Sequence, residues 1–366
     1  MMPSREQQVL ALIREDPMSP QQVIASRLGI SRSAVAGHIM NLNNKGFIKG
    51  RGYVLSDASF ISVIGGANID IHGRSTQKLR NFDSNPGDVH IAAGGVARNI
   101  AENLARLGAD TRLISAVGDD YHGQVLMRLS REAGINVQNV LQIPSASTST
   151  YLSVLDDTGD MLVGINDMSI INDLTVASLR PMQAMLKQSS LIVLDTNLPT
   201  NTLAWLTETF SNTPIFADTV STAKAPRLRP HLQHIHTLKT GTIEVEALMG
   251  QEARTKAQLV KITKMLHNEG VIRVFITRGE KGVFFSDNGK YGTQKVQRSS
   301  NDILNAGGAG DAFLAGLAYS WLEDWTLQES VQFSMATADV TLSHAGTSNP
   351  ALSLGLVQSA METQHA

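Results

Sequence analysis

A chain of 366 residues is long enough for one large and one small domain, and an apolar content of 42% is that of a packed globular protein. There is no cysteine, which excludes disulfides, redox dithiols and thiolate metal sites; no apolar run reaches membrane-spanning length and no secretory pattern opens the chain, so a cytoplasmic protein without membrane partners is expected. The net charge of −2 is unevenly divided, because residues 1–57 hold seven Lys or Arg against four Asp or Glu, and a basic head on an acidic body points to two kinds of partner.

The head comes first. Residues 5–15 read as a helix with Val9, Leu10, Leu12 and Ile13 inward. Ser19-Pro20 reads as a helix start, with Ser19 as cap and Pro20 in the first position, and Val23, Ile24, Ala25 and Leu28 supply the inner face. Gly29-Ile30 turns the chain, Ser31 caps a third helix with Val35, Ile39 and Leu42 inward, and Gly46 ends it. Residues 47–55 then alternate around Lys49-Gly50-Arg51-Gly52, a hairpin with a basic tip. Three helices and such a hairpin resemble a winged helix-turn-helix module. The resemblance implies a third helix in the major groove, presenting Arg32, Ser33, Ala36, Gly37, His38 and Asn41, with Lys45, Lys49 and Arg51 on phosphates. A winged module retained for protein contact or dimerisation is the alternative. His38 has no companions at metal-ligand spacing.

Residues 56–59 are short and polar and read as the linker, dividing the chain into domains 1–57 and 58–366. Buried strands are expected at 60–64, 111–116, 191–194, 215–217, 235–238 and 271–277, with helical patterns between many of them. That alternation predicts an α/β fold with a doubly wound, mostly parallel sheet that binds ligands beyond its carboxyl edge. Residues 69–91 and 148–165, richer in β-formers and turns, break the alternation.

Two glycine turns carry the chemistry. Asn305-Ala-Gly307-Gly308-Ala309-Gly310-Asp311 runs straight into a helix with Phe313, Leu314, Leu317 and Trp321 on one side. A glycine-rich turn feeding a helix N-terminus offers bare N–H groups and a positive dipole end, which suits a phosphate. Asp311, in the first turn, is placed to take a proton from a hydroxyl or, more simply, to cap the helix. The second run, Ala92-Ala-Gly94-Gly95-Val-Ala-Arg98-Asn99-Ile-Ala-Glu102-Asn103, is again a glycine turn opening an amphipathic helix, closed by Gly108.

In this order and about two hundred residues apart, the two runs resemble the paired signatures of the ribokinase-like carbohydrate kinases, the PfkB family, and the resemblance extends from about Phe60 to the C-terminus. It implies a ribokinase-like fold in which the two β-rich segments form a small lid over the sugar that often mediates dimerisation. It implies ATP and Mg2+, with Asp311 as the base and the N–H groups of Gly308, Ala309 and Gly310 as the anion hole. Asn68 and Asp70, following the first strand, would grip a vicinal diol, with Gly94, Gly95 and Asn99 completing the acceptor site. Lys239, Thr277, Gly279 and Gly282 would contact ATP, and Glu244 would organise Mg2+ through water. Lys224 reads equally as a phosphate partner or a solvent-exposed lysine.

Two departures stand out. Gly241 occupies the position where the family usually has asparagine, three residues before Glu244. Asn305 and Gly307 replace a common aspartate and threonine, which implies a weak K+ site built on Asn305, Gly307 and Gly346 carbonyls, with Asp302 as a distant substitute. Within the family, the Gly94–Asn103 run and Asp218-Thr-Val-Ser221 resemble the branch that phosphorylates pseudouridine and carries a helix-turn-helix. Another nucleoside, ribose or a ketohexose phosphate remains open, the last because Arg74, Lys78 and Arg80 lie in the lid. So does a sugar- or nucleoside-sensing regulator with weak or no kinase activity.

Overall fold

The computed structural model describes residues 5–48, 59–296 and 307–365. Lys49, Arg51, Asp302, Asn305 and most of the expected hairpin at 47–55 lie outside the described residues. The chain forms two compact units, one comprising Met1–Ser59 with Pro181–Gln188 and the other Phe60–Arg180 with Ser189–Ala366.

In the first unit, α1 (Arg5–Glu15), α2 (Gln21–Leu28) and α3 (Arg32–Asn44) close around Val9, Ile13, Ile24, Ala25, Val35, Leu42 and Ile48. Ser31 Oγ accepts from Ala34 N at 3.1 Å, the expected cap of α3. The start of α2 differs from expectation by one residue. Pro20 is the N-cap, and Ser19 Oγ instead donates to the Asp16 carboxylate at 2.7 Å, a local partner that draws the hydroxyl away from the helix. On α3, Arg32, Ser33 and Ala36 are exposed, whereas His38 is half-buried. Asn41 Nδ2 donates to Glu6 Oε1 at 3.1 Å, and Lys45 is ion-paired with the same carboxylate and holds its pKa below the ordinary glutamate value. Lys45 and Asn41 therefore tie α3 to α1.

The second unit opens with β1 (Phe60–Ile64), β2 (Asn68–Ser75), β3 (Gly87–Gly94), α4 (Val96–Arg106), β4 (Asp110–Ile114), β5 (Ala116–Gly118), α5 (Tyr121–Glu132), β6 (Leu141–Ile143), β7 (Thr150–Leu155) and β8 (Met161–Asp167). Then come α6 (Val176–Leu179), α7 (Gln183–Leu186, grouped with the first unit), β9 (Leu191–Asp195), α8 (Thr200–Thr209), β10 (Ile215–Asp218) and β11 (Thr237–Gly241). The chain closes with α9 (Thr242–Met249), α10 (Lys256–Asn268), β12 (Arg273–Thr277), β13 (Val283–Asp287), β14 (Lys290–Gln294), α11 (Ala309–Leu322), α12 (Leu327–Leu342) and α13 (Leu354–His365).

Among the described residues the main sheet runs in the order β14-β13-β12-β11-β10-β9-β1-β4. Strands β4 to β12 of that order are parallel, and β13 and β14 return antiparallel. Strands β1 and β9 are buried along their whole length, as apolar runs covered on both faces must be. Helices α4, α11 and α12 pack Ile100, Leu104, Phe313, Leu314 and Phe333 against Ile61, Val193 and Phe216. The expected strand 111–116 ends at Ile114, Ala116 starting β5 of a separate two-stranded sheet, the one expected at 271–277 starts at Arg273, and the one expected at 235–238 is displaced. Ile235 and His236 precede β11, and the strand continues through Lys239 and Thr240, polar residues that are nonetheless buried. Their backbone groups are satisfied by ladders to β10 and β12, so the sheet carries a lysine to its carboxyl edge.

The two β-rich segments form a separate four-stranded sheet, β3-β2-β7-β8. Ile91, Ile71, Leu152 and Ile165 stand in one row across it, and Ile91, Leu152 and Ile165 are exposed.

Candidate active site

Three parallel strands set three charged residues side by side near the carboxyl edge of the sheet. Asp195 closes β9, Asp218 closes β10 and Lys239 lies in β11, in register across the sheet and all buried. Lys239 Nζ donates to Asp218 Oδ2 at 2.9 Å. Burial works against the ammonium, but Asp218 and Asp311 outweigh it and raise its pKa above the ordinary lysine value.

Above this row stands the N-terminus of α11. Gly308 is its N-cap with φ 79°, and a side chain there would collide with the Thr347 carbonyl, so two constraints demand glycine. A Cβ on Gly310 would run into Lys239 Nζ, which places the ammonium against the helix's first turn. The N–H groups of that turn have no intrahelical acceptor, so the helix dipole and the ammonium bring positive charge to a corner that Asp218 also faces. Asp311 is buried in it. Its pKa is pushed up to about 7, first by burial and then by the charge of Asp218, against the opposing pull of Lys239 and a hydrogen bond from Asn99. That bond, Asn99 Nδ2 to Asp311 Oδ2 at 2.9 Å, joins residues 212 positions apart.

Asn99 belongs to the other glycine turn. Strand β2 places Asn68 opposite Gly94 of β3, and Asn68 Nδ2 donates to Asp70 Oδ1 at 2.5 Å. A Cβ on Gly94 would strike the Asp70 carboxylate, and one on Gly95, whose φ is 98°, would strike the Ala67 backbone. Glycine at both positions lets the two turns close on each other. Burial raises the Asp70 pKa above the ordinary aspartate value. The structure thus brings Asn68, Asp70, Gly94, Gly95, Asn99 and Asp311 into one region, the arrangement expected of an acceptor site with its base.

Against α11 lies a cavity of about 550 Å3, lined among others by Thr277, Gly279, Gly282, Ala309, Gly310 and Phe313. Gly279 (φ 57°) and Gly282 (φ 78°) shape the turn between β12 and β13 that forms one wall. Three of the ATP contacts expected from sequence, Thr277, Gly279 and Gly282, therefore share a cavity with Ala309 and Gly310 of the expected anion hole. Lys239 reaches the same helix turn from the sheet.

Glu244 lies in the first turn of α9, folded so closely over Gly241 that any Cβ on Gly241 would meet its carboxylate. Glycine in place of asparagine is thus the residue that admits this glutamate conformation. Among the described residues no group of three or more His, Asp or Glu is arranged to hold a metal ion. A Mg2+ ion bound chiefly by phosphates and water needs only one such carboxylate, and Glu244 fits that demand. Of the residues expected around K+, Gly346 N donates to His344 Nδ1 at 2.9 Å and Gly307 precedes the α11 cap.

Some residues at this site escaped the sequence reading. Asp195 and Asn197 carried no motif, and Asp218 was noted only as part of a run. Lys224 is half-buried rather than solvated, its Nζ donating to Asn197 Oδ1 at 2.6 Å. Thr347 Oγ1 approaches Asn99 Oδ1 at 3.4 Å. An aspartate ending a buried apolar run, as at 195 and 218, is the available signal.

A family model described as pfkB family carbohydrate kinase matches residues 58–353. The chain belongs to the pfkB family of carbohydrate kinases. A second model, winged helix-turn-helix DNA-binding, matches residues 3–49. Pseudouridine kinase of Escherichia coli (strain K12) is 39% identical over 309 residues, 84% of this chain and 98% of that protein. The protein named uncharacterized sugar kinase YeiI, from the same organism, is 38% identical over 353 residues, 96% of this chain and 97% of that protein. The structure of Arabidopsis thaliana ribokinase complexed with ribose and ATP superposes with a TM-score of 0.75 at 20% identity, covering 83% of this chain and 99% of that one, which shows the ribokinase-like fold. The matched region 58–353 contains the small sheet and the glycine turn at 92–99, and it runs through the second turn before α11.

Proposed function

We propose that this kinase transfers the γ-phosphoryl group of ATP to the 5′-hydroxyl of pseudouridine, giving pseudouridine 5′-phosphate and ADP. The observation that carries the reading is the meeting of Asn99, Asp311 and Lys239 at the N-terminus of α11, between the acceptor turns and the cavity. Asp70 and Asn68 hold the ribosyl diol. The hydroxymethyl group lies over Gly308–Asp311. Asp311 takes its proton as the oxygen bonds to the γ-phosphorus and the bond from phosphorus to the ADP oxygen breaks. The N–H groups of Gly308, Ala309 and Gly310, backed by Lys239, hold the charge on the transferring group. Thr277, Gly279 and Gly282 contact the donor's phosphates. Glu244 would hold Mg2+ through water, and the ion would supply charge neutralisation at the phosphates. The carbonyls of Gly307 and Gly346 would offer K+ only a weak site.

Similarity to the Escherichia coli pseudouridine kinase supports the choice of acceptor. One observation tells against a ketohexose phosphate: Arg74 of the lid is engaged with the Asp157 carbonyl at 3.0 Å, which leaves fewer cations for a second phosphate. The lid's exposed apolar row supports a homodimer, and the helix-turn-helix head supports binding to DNA, as an enzyme acting in the cytoplasm on its own operon. The buried Asp311 and Lys239 speak for catalysis over a sensor that has lost it.

The test is ADP release with MgATP over pseudouridine, uridine, guanosine, inosine, ribose and fructose 6-phosphate. Pseudouridine is expected to lead in kcat/KM by about 10-fold or more, because each mismatched polar contact costs about 1–3 kcal/mol. Turnover of ribose or a ketohexose phosphate at a higher kcat/KM would replace the acceptor. No turnover of any of the six would favour the sensor.

A further inference from the structure

No step above uses Asp195, yet it is among the most thoroughly bonded side chains of the molecule. It closes β9 with 1% of its surface exposed. Its Oδ2 accepts from Gly66 N at 2.8 Å and from Ala97 N at 3.1 Å, and its Oδ1 accepts from Asn197 N at 2.9 Å. The three donors come from three segments. Gly66 lies in the turn that leads to Asn68 and Asp70. Ala97 is the second residue of α4, two before Asn99. Asn197 lies just past β9. The two turns also touch directly, since Arg98 N donates to Gly66 O at 3.2 Å. Gly65 completes the fit, because a Cβ there would collide with the Asp195 carboxyl group.

A buried carboxylate is costly unless its oxygens are satisfied, and here backbone N–H groups satisfy both of them. No residue of similar size does the same. Asparagine has one acceptor oxygen, so its NH2 group must face at least one N–H. Packing alone would be served by leucine or threonine.

We propose that Asp195 is a positioning residue for the acceptor, locking the Gly65–Asp70 and Gly94–Asn99 turns into one rigid reader. It acts through those turns and touches neither reactant. Its loss therefore loosens acceptor binding and leaves the nucleotide cavity, built from β12, β13, α11 and α12, as it was. The inference rests on the acceptor assignment made above.

The experiment compares the full-length parent with Asp195→Asn, using pseudouridine and MgATP. The KM for pseudouridine is expected to rise about 10-fold or more, with the KM for ATP within about 2-fold, as loss of one or two charged hydrogen bonds on one side of the site predicts. Equal losses for the two substrates would overturn the role. Hydrogen–deuterium exchange without any acceptor is the second arm. Peptides covering 65–70 and 94–99 should exchange about 10-fold faster in the variant, and those of α11 and α12 at the parent's rate. Unchanged exchange in the two turns also overturns the proposal. A parent that does not phosphorylate pseudouridine counts against the substrate, and the exchange arm then decides the role of Asp195 alone. Should Asp195→Asn not fold, Gly65→Ala takes its place, since the added methyl displaces the carboxylate from the same donors and the same pattern is expected.

Discussion

With Asp311 as the proposed proton acceptor, its raised pKa of about 7 leads to two tests. Asp311→Asn should lower kcat by about 10²–10⁴-fold while binding of a non-hydrolysable ATP analogue persists, since only the base is removed. Calorimetric or fluorescence titration measures the second half. The stability test has a definite sign. The folded-state pKa is raised above the ordinary 3.8, so the fold favours the neutral acid and penalises the ionised form. The penalty is absent below about pH 4 and complete above about pH 7. Asparagine carries none of it, so Asp311→Asn should melt with the parent at pH 4 and about 2 °C or more above it at pH 8. A Tm gain equal at both pH values would mean that packing, not charge, sets it. Asp70→Ala, by contrast, should weaken pseudouridine far more than ATP, at about 1–3 kcal/mol for each sugar hydroxyl left unpaired. Loss of both affinities alike in titrations would remove Asp70 from the acceptor site. These residues were legible in the sequence because glycine announced them. Gly94, Gly95 and Gly308 answer backbone and contact demands that other residues meet only with displacement or strain, and such demands show as clustered glycines. Asp195 announced nothing. Its donors lie 129 and 98 positions away, and only the sheet order brings them together.

At the scale of elements, strands were found where apolar runs are continuous and misjudged where they are not. Strand β11 was expected to stop at Leu238, where the apolar run ends; the ladders to β10 and β12 carry Lys239 and Thr240 on to Gly241. The start of α2 shifted because Asp16 competes for the Ser19 hydroxyl, a contact across a turn that a cap rule does not weigh. The glycine turn before α11 is the element most exposed to substitution. Gly308→Ala must accept a left-handed conformation, at about 1–2 kcal/mol, and in addition push the Thr347 carbonyl aside. A fall in kcat of at least about 10-fold together with a lower Tm is the expected outcome. Unchanged kcat with a lower Tm alone would show that the N–H groups keep their aim without glycine.

At the scale of the whole molecule, a basic head joined to an acidic body was visible from charge alone, and the two matched families cover the same two regions. The division of labour within the head was not visible. Helix α3 was expected to turn Lys45 towards phosphate, yet that lysine is paired with Glu6. If the head binds DNA, Arg32→Ala should therefore weaken binding more than Lys45→Ala and should reduce the slope of log affinity against log salt by about one unit. Fluorescence anisotropy on fragments recovered by genomic capture, across a salt series, measures both. Equal losses for the two variants would mean that the Glu6 pair opens on DNA.

The hydrogen bond from Asn99 to Asp311 has a stereochemical consequence. The two oxygens of a carboxylate are equivalent until something distinguishes them. Here the amide marks Oδ2, so the two are no longer alike, and in the role proposed for Asp311 the hydroxyl would meet a carboxylate whose oxygens differ. A residue of one glycine turn has made a symmetric group of the other asymmetric, and that asymmetry exists only when both turns are folded.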